Sequence, residues 1–265
     1  MYNFEFKKSL GQNFLKDKNV VNKIVDAVLF EKNNLVIEIG PGSGALTKEL
    51  LKKGDMVLLY EIDTRLEKIL QRELVDYSNY ELIFGDFLTA DVCSDLRNYS
   101  YDHLYIVANL PYYITTPIIS KIINDNINAE KIVIMVQKEV ADRLSAGVGS
   151  KEYGQITVFL NYFFDVEKII NVSKNSFIPK PKVDSAVIRM TLKKEKEEII
   201  DLKFFEKIVK DSFKYKRKTI KNNLKEYDLN VVEKVLWKHG FTLDSRSESI
   251  PYYVFVELSN ELYDK

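Results

Sequence analysis

The chain has 265 residues, 46% of them hydrophobic and 29% charged. That length suits one large domain, or one large and one small, and apolar content near one half lets burial offset chain entropy, which excludes a disordered chain. No apolar run approaches the roughly 18 residues of a membrane-spanning helix, and the stretch from Met1 to Lys8 is polar with no secretory core behind it, so the expectation is a soluble, cytoplasmic protein.

A single cysteine, Cys93, rules out an internal disulfide, and His103 and His239 show no ligand-like spacing to other donors, so no metal site is expected. The formal charge is zero, 39 basic residues against 39 acidic, but it is unevenly spread. Up to Ser185 there are 22 basic and 25 acidic residues; from Ala186 onward there are 17 and 14. Lys203 to Lys225 alone holds nine basic residues against Glu206 and Asp211. Such a run is commonly a solvated helix face, and this one is dense enough to suit a polyanion partner.

In chain order, Val20, Val21, Ile24, Val25 and Val28 recur at helical spacing, predicting a helix over Lys18 to Phe30. Leu35 to Ile39 reads as a buried strand running into the glycine turn Gly40-Pro41-Gly42-Ser43-Gly44. A helix over Ala45 to Lys53 and a strand over Met56 to Tyr60 ending at Glu61 follow; then come a helix over Thr64 to Val75 and a strand over Tyr80 to Phe84 ending at Gly85-Asp86. Leu104 to Ala108 is a fourth strand, stopping at Asn109-Leu110-Pro111-Tyr112; Thr115 to Ile123 is helical and Ile132 to Val136 a fifth strand. This alternation predicts a parallel sheet covered on both faces. After a helix to about Asn161, Asp165 to Val172 and Ala186 to Leu192 read as strands forming an antiparallel edge. The charged stretch 193–200 reads as a linker and 201–265 as a small all-helical domain, leaving 1–192 as the first domain.

In a doubly wound sheet, ligands sit at the carboxyl ends of the strands. Four strand ends here carry the glycine turn, Glu61, Asp86 and Asn109, and Glu61 falls where an acidic residue accepts both ribose hydroxyls of an adenosine. The order G-x-G-x-G lacks the third glycine of the dinucleotide fingerprint, and no phosphate-binding lysine motif is present. S-adenosylmethionine, which has no phosphate, fits such a turn, with Asp86 taking the adenine amine; the plainer reading is a sharp turn with caps. The fold class expected is therefore α/β, a Rossmann-like methyltransferase sheet, mostly parallel, with a small helical C-terminal domain.

Asn109-Leu110-Pro111-Tyr112 suits one chemistry in particular. An adenine amine is a poor nucleophile because its lone pair is delocalised. The Asn109 amide oxygen and the carbonyl of Leu110 or Pro111 can accept its hydrogens, and Tyr112 offers a ring on which an extruded base stacks. By spacing alone, an Asn-Leu-Pro turn with Tyr112 as packing explains the motif equally well.

Lys8-Ser9-Leu10-Gly11-Gln12-Asn13-Phe14-Leu15, the E-I-G-P-G-S-G turn, Asn109 to Tyr113, Phe177 with Pro179, Pro181 and the segment from Lys182 to Val187, and Lys218-Thr219 with Asn222-Asn223-Leu224 occur in an order that resembles the ribosomal RNA adenine dimethyltransferases of the KsgA/Dim1 type. The resemblance runs from Lys8 to the carboxyl end. It implies S-adenosylmethionine-dependent dimethylation of two adjacent adenosines near the 3′ end of small-subunit ribosomal RNA during subunit assembly, by a monomer whose partner is the small ribosomal subunit and its RNA. It also implies that Asn13, Leu15, Gly40, Gly42, Glu61, Ile62, Asp86, Phe87 and Asn109 hold the cofactor. Asn109, Leu110, Pro111 and Tyr112 would act on the base, with Phe177 covering its other face or serving as a hydrophobic plug. Lys214, Lys216, Arg217, Lys218 and Lys221 would meet RNA. The basic segment departs from the family pattern at Lys216, where a pair of arginines usually precedes the lysine, so a bidentate contact is lost there. The related erythromycin-resistance enzymes, which modify large-subunit RNA, usually carry isoleucine in place of Leu110; the leucine and the proline-rich block favour the small-subunit branch. A non-catalytic assembly factor and a nicotinamide-dependent dehydrogenase are the rival readings, the latter disfavoured by the glycine spacing.

Overall fold

A computed structural model of the chain describes residues 13–263. The segment Lys8 to Gln12, which opens the family resemblance, lies outside the described residues. β1 (Phe14–Leu15) and α1 (Lys18–Val28) lead into β2 (Asn34–Ile39), α2 (Ala45–Leu51), β3 (Met56–Glu61), α3 (Glu67–Glu73), β4 (Tyr80–Phe84), α4 (Val92–Leu96), β5 (His103–Asn109), α5 (Thr115–Asn124) and β6 (Lys131–Gln137). α6 (Lys138–Leu144), α7 (Gln155–Phe163), β7 (Phe164–Val172), β8 (Phe177–Ile178) and β9 (Ser185–Leu192) follow, and then α8 (Leu202–Ser212), α9 (Ile220–Asn223), α10 (Leu229–Lys238) and α11 (Tyr252–Leu262). No helix among the described residues is long and apolar enough to cross a membrane.

The seven-stranded sheet runs β4-β3-β2-β5-β6-β9-β7. The pairs among β4, β3, β2, β5 and β6 are all parallel, and β9 joins β6 antiparallel. All six residues of β2 are buried, because a central parallel strand is covered on both faces, and the expected near-continuous apolar run follows from that. Chain order reverses on the two sides of β2, so the crevice beyond its carboxyl end is the topological switch point where such sheets take ligands. Against this sheet α1 lays Val20, Val21, Ile24, Val25 and Val28, and its start is fixed by Asp17, whose side chain accepts the amides of Asn19 and Val20.

The expected domain boundary is corrected. Contacts divide the described chain into one compact unit that reaches to Ala141 and resumes over Glu167–Leu192, and another made of Asp142–Val166 with everything from Lys193. The segment 142–166, with α7, was expected in the first domain; Tyr153, Val158 and Tyr162 instead share a core with Phe205, Val232 and Phe255. Nor is 193–200 a free linker. The Lys193 amide donates to the Phe163 carbonyl at 2.9 Å, the Tyr162 hydroxyl to the Glu197 carbonyl at 3.0 Å, and Asn260 Nδ2 to the Glu198 carbonyl at 2.7 Å. A run without apolar side chains reads as a linker, yet hydrogen bonds to its backbone tie it down along its length.

A second difference concerns the basic segment. α8 ends at Ser212 and α9 begins only at Ile220, so Lys216, Arg217 and Lys218 lie in turns, not on the helix the charge run suggested.

Candidate active site

The crevice at the switch point is a cavity of about 260 Å³. The glycine turn after β2 forms its floor, with Gly40, Gly42 and Gly44 at φ of 74°, 59° and 81°, a region that L side chains avoid. A Cβ built on Gly40 meets nothing within 4 Å, so the turn leaves open space on the cavity side. Gly42 is crowded instead, since its Cβ would lie 2.9 Å from Phe14 Cε1, and β1 thereby rests on the turn.

At the end of β3, Glu61 is 4% exposed. Its two carboxylate oxygens accept the Gly42 amide at 3.0 Å and the Asp63 amide at 2.9 Å. Burial pushes its carboxyl above the usual range, while the Asp63 and Gly42 amides pull it back down. Each oxygen keeps a further lone pair for a ligand hydroxyl. Asp86 lines the cavity from the end of β4, and Phe87 beside it meets Tyr60 edge-to-face at 5.3 Å between ring centroids.

β5 delivers Asn109. Its Nδ2 donates to the Asn13 carbonyl at 3.1 Å, which leaves Oδ1 as an acceptor. The Pro111 carbonyl takes the Ile114 amide at 3.2 Å, so of the two carbonyls considered in the motif, that of Leu110 is the freer.

The cavity brings together Asn13, Leu15, Gly40, Gly42, Glu61, Ile62, Asp86, Phe87, Asn109, Leu110 and Pro111. It does not bring in Tyr112 or Phe177. Tyr112 is half-buried, its hydroxyl 3.0 Å from Ser185 Oγ, and the neighbouring Tyr113, 62% exposed, lines the cavity in its place. Phe177 is corrected more sharply. It is 3% exposed, pairs with Leu15 through β8 and β1, and belongs to the apolar core of the sheet, so it is the hydrophobic plug and not a ring facing the cavity. The reason is geometric: successive strand residues face opposite sides, and the pairing of β8 with β1 puts Phe177 on the core side beside Leu15 and Ile178 on the outer side, a register of which sequence spacing carries no trace. Lys214, Lys216, Arg217, Lys218 and Lys221 lie together in the second unit and are all exposed.

Sequence reasoning passed over Glu38, a cavity-lining carboxyl that is 1% exposed and whose Oε2 has no hydrogen-bond partner among the described residues. The signal was there, as the one charged residue in an otherwise apolar strand. Taken together the described residues of the cavity walls carry three carboxyl groups, Glu38, Glu61 and Asp86, and among them there is no lysine, arginine or histidine. The carboxylates of Glu61 and Asp86 repel phosphate and suit a ligand with positive charge and an adenosine. S-adenosylmethionine fits on both counts: it has a sulfonium, an ammonium and no phosphate.

Comparison with known proteins agrees with this geometry. The family described as ribosomal RNA adenine dimethylase matches residues 3–264. A protein from Bacillus licheniformis named ribosomal RNA small subunit methyltransferase A is 44% identical over 98% of this chain and 92% of its own length, and one of the same name from Clostridium botulinum is 42% identical over 99% and 96%. Among solved structures, a dimethyladenosine transferase from Plasmodium falciparum superposes with a TM-score of 0.76 at 28% identity, covering 92% of this chain and 95% of that one. The 23S rRNA methyltransferase ErmE superposes with a TM-score of 0.78, also at 28% identity, over 95% and 100%. Matched along nearly its whole length, and with a cavity whose lining suits the methyl donor, the chain belongs to the ribosomal RNA adenine dimethylase family.

Proposed function

We propose that the protein dimethylates the exocyclic amines of two adjacent adenosines near the 3′ end of small-subunit ribosomal RNA, during subunit assembly in the cytoplasm and as a monomer without a metal. The observation that carries the reading is the cavity lined, among the described residues, by three carboxyl groups and no cation, with Asn109 in its wall. The names of the relatives support the small-subunit assignment.

S-adenosylmethionine, when bound, supplies an electrophilic methyl on a sulfonium sulfur. Glu61 would hold the ribose hydroxyls, with Ile62 beside it; Asp86 and Phe87 would hold the adenine, and the glycine turn with Asn13 and Leu15 the methionine part. Asn109 Oδ1 and the Leu110 carbonyl would accept the two hydrogens of the target amine and localise its lone pair. Pro111 adds no competing donor to that turn. Tyr112, held through its hydroxyl by Ser185 outside the cavity lining, would support the turn from which Tyr113, the tyrosine that lines the cavity, presents a ring to the extruded base. Holding both reactants in one orientation supplies much of the acceleration. No strong base is required of the chain, because the amine becomes acidic only as its new bond to carbon forms. Lys214, Lys216, Arg217, Lys218 and Lys221 would meet RNA phosphates.

The test pairs a variant with a substrate survey. Asn109→Ala should abolish methyl transfer while cofactor affinity, measured by calorimetry, stays within a few fold of wild type; near-normal turnover would remove the assigned role. Labelled methyl donor offered with unmethylated small subunits, large subunits or free RNA should mark adenosines of the small subunit. Label confined to the large subunit would move the protein to the resistance branch.

A further inference from the structure

The basic loop between α8 and α9 contains a residue that electrostatics alone does not explain. Tyr215 stands among Lys214, Lys216, Arg217 and Lys218 with 52% of its surface exposed. Exposing a ring forfeits the free energy of burying it. Among the described residues Tyr215 makes no ring-to-ring contact, and its nearest ring partner is Lys214, with Nζ 5.6 Å from the ring centroid.

Its backbone, by contrast, is held from beneath. Asn223 is 7% exposed, and its Oδ1 accepts the Tyr215 amide at 3.1 Å. Asn223 Nδ2 donates to the Ser212 carbonyl at 2.7 Å and to the Tyr215 carbonyl at 3.4 Å. The Lys218 amide closes the turn on the same Tyr215 carbonyl at 2.9 Å, and the Ser247 hydroxyl also donates to the Ser212 carbonyl. A buried amide with acceptor and donors all engaged by one loop fixes the course of that loop. The ring is therefore presented outward by design of the backbone and not by lack of order.

We propose that Tyr215 is a stacking platform for an unpaired RNA base and that Asn223 is the positioning residue that presents it. The inference rests on the reading of the basic loop as an RNA-docking surface. The choice of RNA follows from charge: Lys214, Lys216, Arg217, Lys218 and Lys221 are exposed, and none has a carboxylate partner among the described residues. A single strand draws its phosphates to such cations and lays a base on the ring between them. An acidic protein surface would use the cations and leave the ring idle.

The experiment titrates the full-length protein into two fluorescein-labelled RNAs over a range of salt, a hairpin with unpaired adenosines in its loop and an uninterrupted duplex. Tyr215→Ala should lose about tenfold in affinity for the hairpin, keep its affinity for the duplex, and leave the salt slope unchanged, since stacking releases no counterion. Tyr215→Phe should behave as wild type. Asn223→Ala should reproduce the hairpin defect with cofactor affinity intact. Unchanged hairpin affinity in Tyr215→Ala, an equal loss on the duplex, or a loss that tracks a flatter salt slope would each overturn the proposal. Failure to bind S-adenosylmethionine would instead sink the methyl-transfer reading and leave this contrast standing.

Discussion

Glu38 sits in the middle of the sheet with one oxygen unpartnered, and burial, reinforced by the neighbouring Glu61 carboxylate, pushes its pKa up to about 8. In the unfolded chain the same group ionises near 4.5. Between those values the unfolded chain has released a proton that the native protein keeps, so native stability falls as pH rises, and the loss is complete only above about 8. At about 1.4 kcal/mol for each pH unit, the climb amounts to roughly 5 kcal/mol, a large share of the 5–15 kcal/mol that holds a typical domain together. Glu38→Gln removes the titration and keeps the shape. Urea unfolding of wild type and variant without cofactor, from about pH 5 to about pH 9, should show the variant gaining roughly 1.4 kcal/mol per pH unit over wild type and levelling off above about 8. Curves that stay parallel across that range would refute the reasoning.

Gly42→Ala combines a positive φ with a Cβ placed 2.9 Å from Phe14 Cε1, and should cost about 1–2 kcal/mol in thermal unfolding; an unchanged Tm would mean that β1 yields freely. Glu61→Gln leaves one of two backbone amides without its acceptor, a penalty of about 1–3 kcal/mol. Calorimetry should show the cofactor bound at least about tenfold more weakly, and equal affinity would place the ribose elsewhere. Neutral residues at Lys216, Arg217 and Lys218 together should lower the salt slope of RNA binding by about 2 to 3, whereas a slope like that of wild type would locate the RNA on another face.

What could be read from the residues depended on how local the cause was. The strands β2 to β6 announce themselves because each is a short apolar run that stops at glycine or a polar residue, and the cavity lies at the stops of β2 to β5. The antiparallel insertion of β9 beside β6 followed from two strands arriving without a helical crossover. The errors came from contacts distant in sequence. Phe177 is buried by a strand pair with residues some 160 positions earlier, and Lys193 to Glu198 are anchored by carbonyl and side-chain partners that no composition window samples. Tyr112 and Tyr113 differ by one position, and which of them faces the cavity was settled by a hydroxyl contact with Ser185.

The two-strand ladder between β1 and β8 also bears on how the molecule is made. The Lys16 amide donates to the Ser176 carbonyl at 2.9 Å, and the Ser176 hydroxyl to Asp17 at 3.1 Å, so the cavity wall formed by Asn13, Phe14 and Leu15 leans on chain synthesised about 160 residues later. At ribosomal speeds of roughly 5–20 residues per second, that wall waits about 8–30 s for its buttress. A nascent chain released too early would carry the glycine turn, Glu61 and Asp86 with one flank of the cavity unsupported, so the buttressed wall belongs only to a polypeptide whose translation has passed Ile178.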